Sequence, residues 1–154
     1  PVEALRERLG FPGMLVLQFG FGGARAERSS PHAFANHALN RVVYTGTHDH
    51  DTARGWFERA SVATRRRVDE ICSSVGISEP EPWWRLVRLC LDSHAAVSIV
   101  QAQDLLGLGS EARMNNPSKR SGNWRWQLSP GALTAELAAR LREATAATGR
   151  LRAD

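Results

Sequence analysis

The sequence contains little that is typical of an extracellular or membrane-spanning protein. Its 154 residues include only two cysteines, Cys72 and Cys90, and these form no CxxC pair. Neither a disulfide framework nor a cysteine-based metal site is therefore predicted. Apolar runs of about 18 residues or more, which a membrane-spanning helix needs, do not occur. These absences favour a reduced, cytoplasmic compartment and predict no membrane partner.

An excess of positive charge is also lacking. Lysine and arginine total 20 against 16 acidic residues, a net charge of +4, and Lys119 is the only lysine. Such a small excess is unlike the basic patches that bind nucleic acids. The run Arg65, Arg66, Arg67 is predicted to be a solvated helix face. No nucleic-acid partner is expected, and an RNA-binding module is kept only as an alternative.

The pattern of apolar residues predicts an α/β protein. Nearly continuous or β-branched apolar runs are typical of strands covered on both faces, and helical spacing separates them. Because long crossovers connect the strands, we expect a parallel sheet. No Pro- or Ser-rich linker divides the chain, so residues 1–154 are predicted to form part of one domain. The predicted strands are residues 14–19, 41–45 and 95–100, and the predicted helices are 2–9, 61–75, 82–93 and one from Ser129-Pro130 to Gly149.

Most aromatic residues and both cysteines are predicted to be structural. Cys72 and Cys90 lie in apolar, helix-like stretches and are expected to be small buried side chains. Trp56, Trp83 and Trp84 are expected to pack between helices. Trp124 and Trp126 differ, because they lie in a polar loop beside Asn, Arg and Gln, as in sugar-binding sites.

A dense polar cluster directly follows the second predicted strand. Thr47, His48, Asp49, His50 and Asp51 are consecutive. A run of ionisable groups is costly to bury, so a purely structural role is a weak explanation. One alternative is capping of the next helix by Asp51 or Thr52, and a second is a metal-dependent hydrolase using His48 and His50. The third is carbohydrate chemistry, in which a carboxylate and a histidine bind sugar hydroxyls beside a developing oxocarbenium ion.

Four sequence blocks, taken in order, resemble the 4-α-glucanotransferases (amylomaltase or disproportionating enzyme, glycoside hydrolase family 77). The blocks are PGMLVLQF (12–19), VVYTGTHDHDT (42–52), QDLLGLG (103–109) and GNWRW (122–126). The resemblance implies a (β/α)8 barrel of the α-amylase clan, with this chain forming about its last three βα units. It also implies transfer of α-1,4-glucan segments between maltooligosaccharides by a retaining double displacement, without a cofactor or metal ion.

The resemblance assigns roles to individual residues. Asp49 would stabilise the transition state, and His48 would supply a companion hydrogen bond. Substrate-binding positions are implied for five further residues: Phe21, Gln103, Asp104, Asn123 and Trp124. His50 departs from the family pattern, in which asparagine is common at this position.

The same resemblance implies that the catalytic machinery is incomplete in this chain. The nucleophile and the general acid are expected N-terminal to Pro1. Glu3 and Glu7 lie within a predicted helix, not at a strand exit, and cannot replace them. The chain is therefore expected to be a fragment that is inactive alone. Carbohydrate binding without catalysis stays open as an alternative.

Overall fold

Three parallel strands form the sheet of the protein. The computed structural model describes residues 1–22 and 29–151; Gly23, at the end of a glycine cluster that begins at Gly20, lies outside them. The strands are paired in the order β1-β2-β3, and both pairs are parallel, which confirms the predicted sheet. They are β1 (Gly13–Val16), β2 (Arg41–Tyr44) and β3 (Val97–Ile99).

Helices cover one side of this sheet. Hydroxyl side chains begin three of them, because Thr52, Ser61 and Thr134 each accept a hydrogen bond from a backbone N–H of the first turn. The helices within the described residues are α1 (Val2–Arg8), α2 (Ala53–Arg59), α3 (Val62–Ser74), α4 (Pro82–Asp92), α5 (Ala102–Leu105) and α6 (Ala135–Ala147). Short 3-10 turns occur at Leu17–Phe21, Phe34–Asn36 and Ser110–Ala112.

The core lies between the sheet and α4. Leu15 and Val43 are paired across β1 and β2, and both belong to the main apolar cluster with Leu86 and Leu89 of α4. A second cluster around Trp84 connects α4 to the C-terminal helix. Helix α4 thus joins the two clusters, and it packs against α2, α3, α5, α6 and β3.

Two strand predictions are wrong in part. The first strand ends at Val16, because the backbone turns into the 3-10 segment that begins at Leu17. The third strand was expected to be buried on both faces, yet Val97 and Ile99 are 47% and 41% exposed. Strand β3 lies at the edge of the three-stranded sheet.

The predicted start of the last helix is also wrong. Ser129-Pro130 resembles a helix start, but Gly131 adopts a φ of +76° and the backbone turns there. The helix begins five residues later, where Thr134 accepts a hydrogen bond from the Leu137 N–H. Its end agrees with the prediction, since Gly149 has a φ of +68° just beyond Ala147.

The cysteines and three of the tryptophans are structural, as predicted. Burial raises the pKa of the Cys72 thiol to about 11 and that of Cys90 to about 12, so both stay protonated near neutral pH. Trp84 is 2% exposed, while Trp56 and Trp83 pack partly buried against the main cluster. None of the described helices is long and apolar enough to cross a membrane.

Candidate active site

The His48-Asp49 pair lies in the loop that leaves the C-terminal end of β2. Side chains of this pair are about half exposed, 53% for His48 and 44% for Asp49, although Val43 of the strand beneath them is fully buried. His48 Nε2 lies 3.3 Å from Asp49 Oδ1. Asn115 Nδ2 donates to the same oxygen at 2.5 Å. The Asp49 carboxylate is therefore fixed on one oxygen while its side chain stays accessible to a ligand.

A second loop, residues 113–124, lies directly against the first. Arg113 Nη2 donates to the Asp49 carbonyl at 2.6 Å, and its Nε donates to the Asn115 carbonyl at 2.7 Å. The Asn115 N–H donates to the His48 carbonyl at 3.0 Å. These contacts join main chain to main chain as well as side chain to side chain, so the two loops form one unit.

Trp124 completes the exposed part of this unit. Its ring centroid lies 5.0 Å from that of His48, and the residue is 59% exposed. Its φ of +61° makes it the one described non-glycine residue with a left-handed backbone. A bulky residue in this region is unusual and is often found at a functional site. The Trp124 N–H donates to the Met114 carbonyl at 2.7 Å, which holds that conformation.

Asn123 shapes the same loop from within. Its Oδ1 accepts from the Asn116 N–H at 2.9 Å, and its Nδ2 donates to the Lys119 carbonyl at 3.0 Å. The structure thus brings together four of the predicted site residues. They are His48, Asp49, Asn123 and Trp124.

Gln103 and Asp104 lie beneath the loop and not on its surface. Asp104 is fully buried: Oδ1 accepts from the Ala53 N–H at 2.7 Å, and Oδ2 accepts from the Thr45 hydroxyl. Burial raises the pKa of Asp104, and these two hydrogen bonds oppose the rise. Gln103 Nε2 donates to the Ala112 carbonyl at 3.3 Å. Both residues support the site in this structure, and their substrate-binding role stays a prediction.

Phe21 lies apart from the His48-Asp49 cluster in its described contacts. It is 5% exposed and packs against Trp56, with ring centroids 5.4 Å apart. Both rings line a cavity of about 370 Å³ beside Gln18. A role of Phe21 towards substrate likewise remains a prediction.

Asp51 anchors the base of the loop. Its buried carboxylate accepts from the Thr52 N–H at 2.9 Å and from the Ser110 hydroxyl at 3.0 Å, and it pairs with Arg59. Helix α2 is capped by Thr52 and not by Asp51. Asp51 therefore ties the His48-Asp49 loop to the turn that precedes Arg113.

The geometry gives no support to the metal-dependent alternative. His50 Nδ1 accepts from the Thr47 N–H at 3.1 Å, and its ring packs against Phe19 with centroids 4.8 Å apart. Within residues 1–22 and 29–151, no group of three or more His, Cys, Asp or Glu side chains is arranged to hold a metal ion.

Sequence reasoning missed the two residues that hold Asp49. Arg113 and Asn115 lie between the third predicted strand and the last predicted helix, where no element was assigned, and they are 64 and 66 residues from their partner. The available signal was their position, between two blocks that both resemble the same enzyme family.

Comparison with known proteins decides the family. The sequence profile described as 4-alpha-glucanotransferase matches residues 1–134. The chain belongs to the 4-alpha-glucanotransferase family.

Relatives support this assignment along nearly the whole chain. The 4-alpha-glucanotransferase of Thermus thermophilus is 46% identical over 153 residues, covering 97% of this chain and 30% of the relative. The chloroplastic/amyloplastic enzyme of Arabidopsis thaliana is 42% identical over 127 residues, covering 82% of this chain and 21% of the relative. The chain thus spans less than a third of the length of these 4-alpha-glucanotransferases.

A solved structure agrees with the predicted architecture. The amylomaltase from Streptococcus agalactiae, determined in complex with acarbose, superposes with a TM-score of 0.88 at 31% identity, covering 98% of this chain and 30% of that chain. The prediction of part of a (β/α)8 barrel in a 4-α-glucanotransferase is therefore confirmed.

Proposed function

We propose that this chain supplies the part of a 4-α-glucanotransferase active site that stabilises the transition state. The observation that carries the proposal is the Asp49 carboxylate at the exit of β2. It is held by Asn115 at 2.5 Å and lies beside His48, yet its side chain is 44% exposed. In a (β/α)8 barrel, chemistry takes place at this end of the strands.

The reaction that fits this site is a retaining double displacement. As the glycosidic bond breaks, the anomeric carbon gains positive charge, and a fixed carboxylate lowers the energy of that state. Asp49 would accept hydrogen bonds from ring hydroxyls of the sugar at the cleavage point, and His48 would bind the same sugar. A hydroxyl of an acceptor glucan then replaces water as the second nucleophile.

Two further carboxylates, those of Glu3 and Glu7, are not placed to act as the nucleophile or the general acid. Glu3 and Glu7 lie on α1 and pair with Arg6 at 3.0 Å and 3.2 Å, away from a strand exit. A nucleophile and a general acid must come from further βα units, so the isolated chain is expected to be inactive.

The proposed substrates are α-1,4-glucans and maltooligosaccharides. Support comes from the exposed Trp124 ring beside His48, since sugar rings pack on aromatic faces flanked by hydrogen-bonding groups. An oligosaccharide-like ligand, acarbose, is bound to the amylomaltase that superposes on this chain.

A segment exchange tests the function. The 153 residues of the Thermus thermophilus enzyme that align with this chain are replaced by the chain itself. We expect the chimera to disproportionate maltotriose, with release of glucose as the readout. Asp49→Asn should lower turnover by several orders of magnitude, because the neutral amide no longer offsets the developing charge.

The matched control is Asp92→Asn, at the exposed end of α4. It changes the same functional group away from the site, and turnover should stay within about twofold of the chimera's. An Asp49→Asn chimera that keeps the parent's turnover would disprove the assignment of Asp49. A folded chimera without transferase activity would disprove the proposed function of the chain.

A further inference from the structure

We infer that Arg113 is a positioning residue, which sets the location of the Asp49 carboxylate by clamping the main chains of two loops. This inference rests on the proposed function of Asp49. The described contacts of the Arg113 guanidinium are with carbonyl oxygens, those of Asp49 and Asn115, and not with the carboxylate itself.

The contacts around Arg113 form a closed ring. Arg113 donates to the Asp49 carbonyl at 2.6 Å and to the Asn115 carbonyl at 2.7 Å. Asn115 in turn donates its backbone N–H to the His48 carbonyl and its side-chain amide to the Asp49 carboxylate. One guanidinium thus fixes both the backbone that carries the carboxylate and the backbone that carries its amide partner. Removing the guanidinium would free the two loops from each other, and their relative position sets where Asp49 Oδ1 lies.

The position of the charge argues for positioning and against direct stabilisation. The proposed transition state is cationic at the sugar, and a nearby guanidinium raises the energy of such a state. Arg113 would therefore oppose catalysis by its charge alone. Its bonds to two carbonyl groups are what give it a favourable role.

The chemistry of this clamp requires arginine. A guanidinium offers several N–H donors in one rigid plane and can reach two acceptors at a fixed separation, whereas a lysine ammonium is a single point charge on a flexible stem. Lysine at this position is expected to keep one of the two carbonyl bonds and to restore only part of the lost rate.

Kinetics in the chimera described above test the inference. Arg113→Ala should lower kcat by about 100-fold, since a shift of about 1 Å in a reacting group has that effect. KM should change by less than about threefold, because Asp49 acts mainly on the transition state. Arg113→Lys should fall between Ala and the parent. Guanidinium chloride at a non-denaturing concentration should restore part of the Arg113→Ala rate, and sodium chloride at equal ionic strength should not.

Arg150→Ala is the matched control. Arg150 also donates to several carbonyl oxygens, among them those of Leu91 at 2.5 Å and Ala95 at 2.6 Å, but these lie at and after the C-terminal end of α4 and not in the two loops that Arg113 joins. The Arg150→Ala substitution should reduce the free energy of unfolding and leave kcat of the folded enzyme within about twofold of the parent chimera's. Hydrogen exchange of residues 46–52 should quicken in Arg113→Ala and not in Arg150→Ala.

Two results would overturn the inference. One is an Arg113→Ala enzyme whose kcat equals that of Arg150→Ala. The other is unchanged hydrogen exchange at residues 46–52. An inactive but folded parent chimera would overturn the proposed function alone, and the exchange measurement would then decide whether Arg113 holds the loop.

Discussion

At the scale of single residues, neighbouring side chains in the β2 exit loop have different tasks. Asp49 is accessible and held on one oxygen, whereas Asp51 is buried and bound to Thr52, Ser110 and Arg59. The two carboxylates are only two residues apart, but Asp49 is placed to contact a ligand and Asp51 holds the loop in position. The sequence predicts that the cluster is functional, and the hydrogen bonds show which acid could contact a ligand.

His50 predicts a pH dependence of the proposed activity. Burial lowers the pKa of His50 below its ordinary value of 6.5; Arg113, His48 and His32 act in the same direction, and Asp49 opposes them. The imidazole is therefore neutral at pH 7 and gains a proton only as the pH falls below about 6.5. The added positive charge would lie beside a cationic transition state and lower the rate.

The test compares His50→Asn with the parent chimera. Asparagine cannot gain a proton, so kcat/KM of the variant should fall less steeply between about pH 6.5 and 4.5. Above pH 7 the two enzymes should agree within about twofold, because both side chains are neutral there. Parallel profiles over the whole range would contradict this prediction.

Residues that act over a long stretch of chain could not be predicted from local patterns. His48 and Asp49 follow a strand directly, and that position alone marks them as candidates. Arg113 and Asn115 meet Asp49 only because two loops fold together, at sequence separations of 64 and 66. No spacing rule within a single element connects residues at that separation.

At the scale of elements, Asp104 connects the end of β2 to the start of α2. Its two oxygens accept from the Thr45 hydroxyl and the Ala53 N–H, both buried. Asp104→Ala would leave both donors without a partner and should lower the local stability of α2 by about 3 kcal/mol. Native-state hydrogen exchange of Ala53–Arg59 measures this loss.

The isosteric variant Asp104→Asn is the control for that measurement. Its carbonyl can accept from Ala53 N–H, and the Thr45 hydroxyl can rotate to accept from the amide, so the loss should be within about 1 kcal/mol. Equal losses in the alanine and asparagine variants would contradict this expectation and would show that the site needs the two acceptor oxygens of a carboxylate.

Elements were predicted well where a cap and an apolar stripe agree. Ser61 starts α3 as expected, because its side chain accepts from the Thr64 N–H and Val68 and Cys72 face the core. The start of α6 was misplaced, because Ser129-Pro130 has the chemistry of a helix start without an apolar face behind it. Leu133 is 57% exposed there, and the stripe that packs begins with Leu137.

At the scale of the whole molecule, one face of the sheet carries exposed apolar side chains. Met14, Val42 and Val97 lie in one row across the three strands, and Met14 is 60% exposed. The isolated chain also has unpaired edges at β1 and β3. Exposed apolar faces and open edges promote association. We therefore expect the isolated chain to aggregate or to be partly molten.

Light scattering and thermal unfolding of the isolated chain measure this behaviour. Val97→Lys should reduce association, since a lysine on an edge strand blocks strand pairing. Val62→Lys is the control, because Val62 is 82% exposed on α3 and is not part of the sheet. A sharp, cooperative melt of a monomer would contradict the expectation.

The left-handed backbone at Trp124 restricts how position 124 can evolve. A φ of +61° suits glycine and excludes β-branched side chains. Glycine there would relax the loop but would also remove the indole. At this position the exposed ring is therefore presented at a conformational cost to folding.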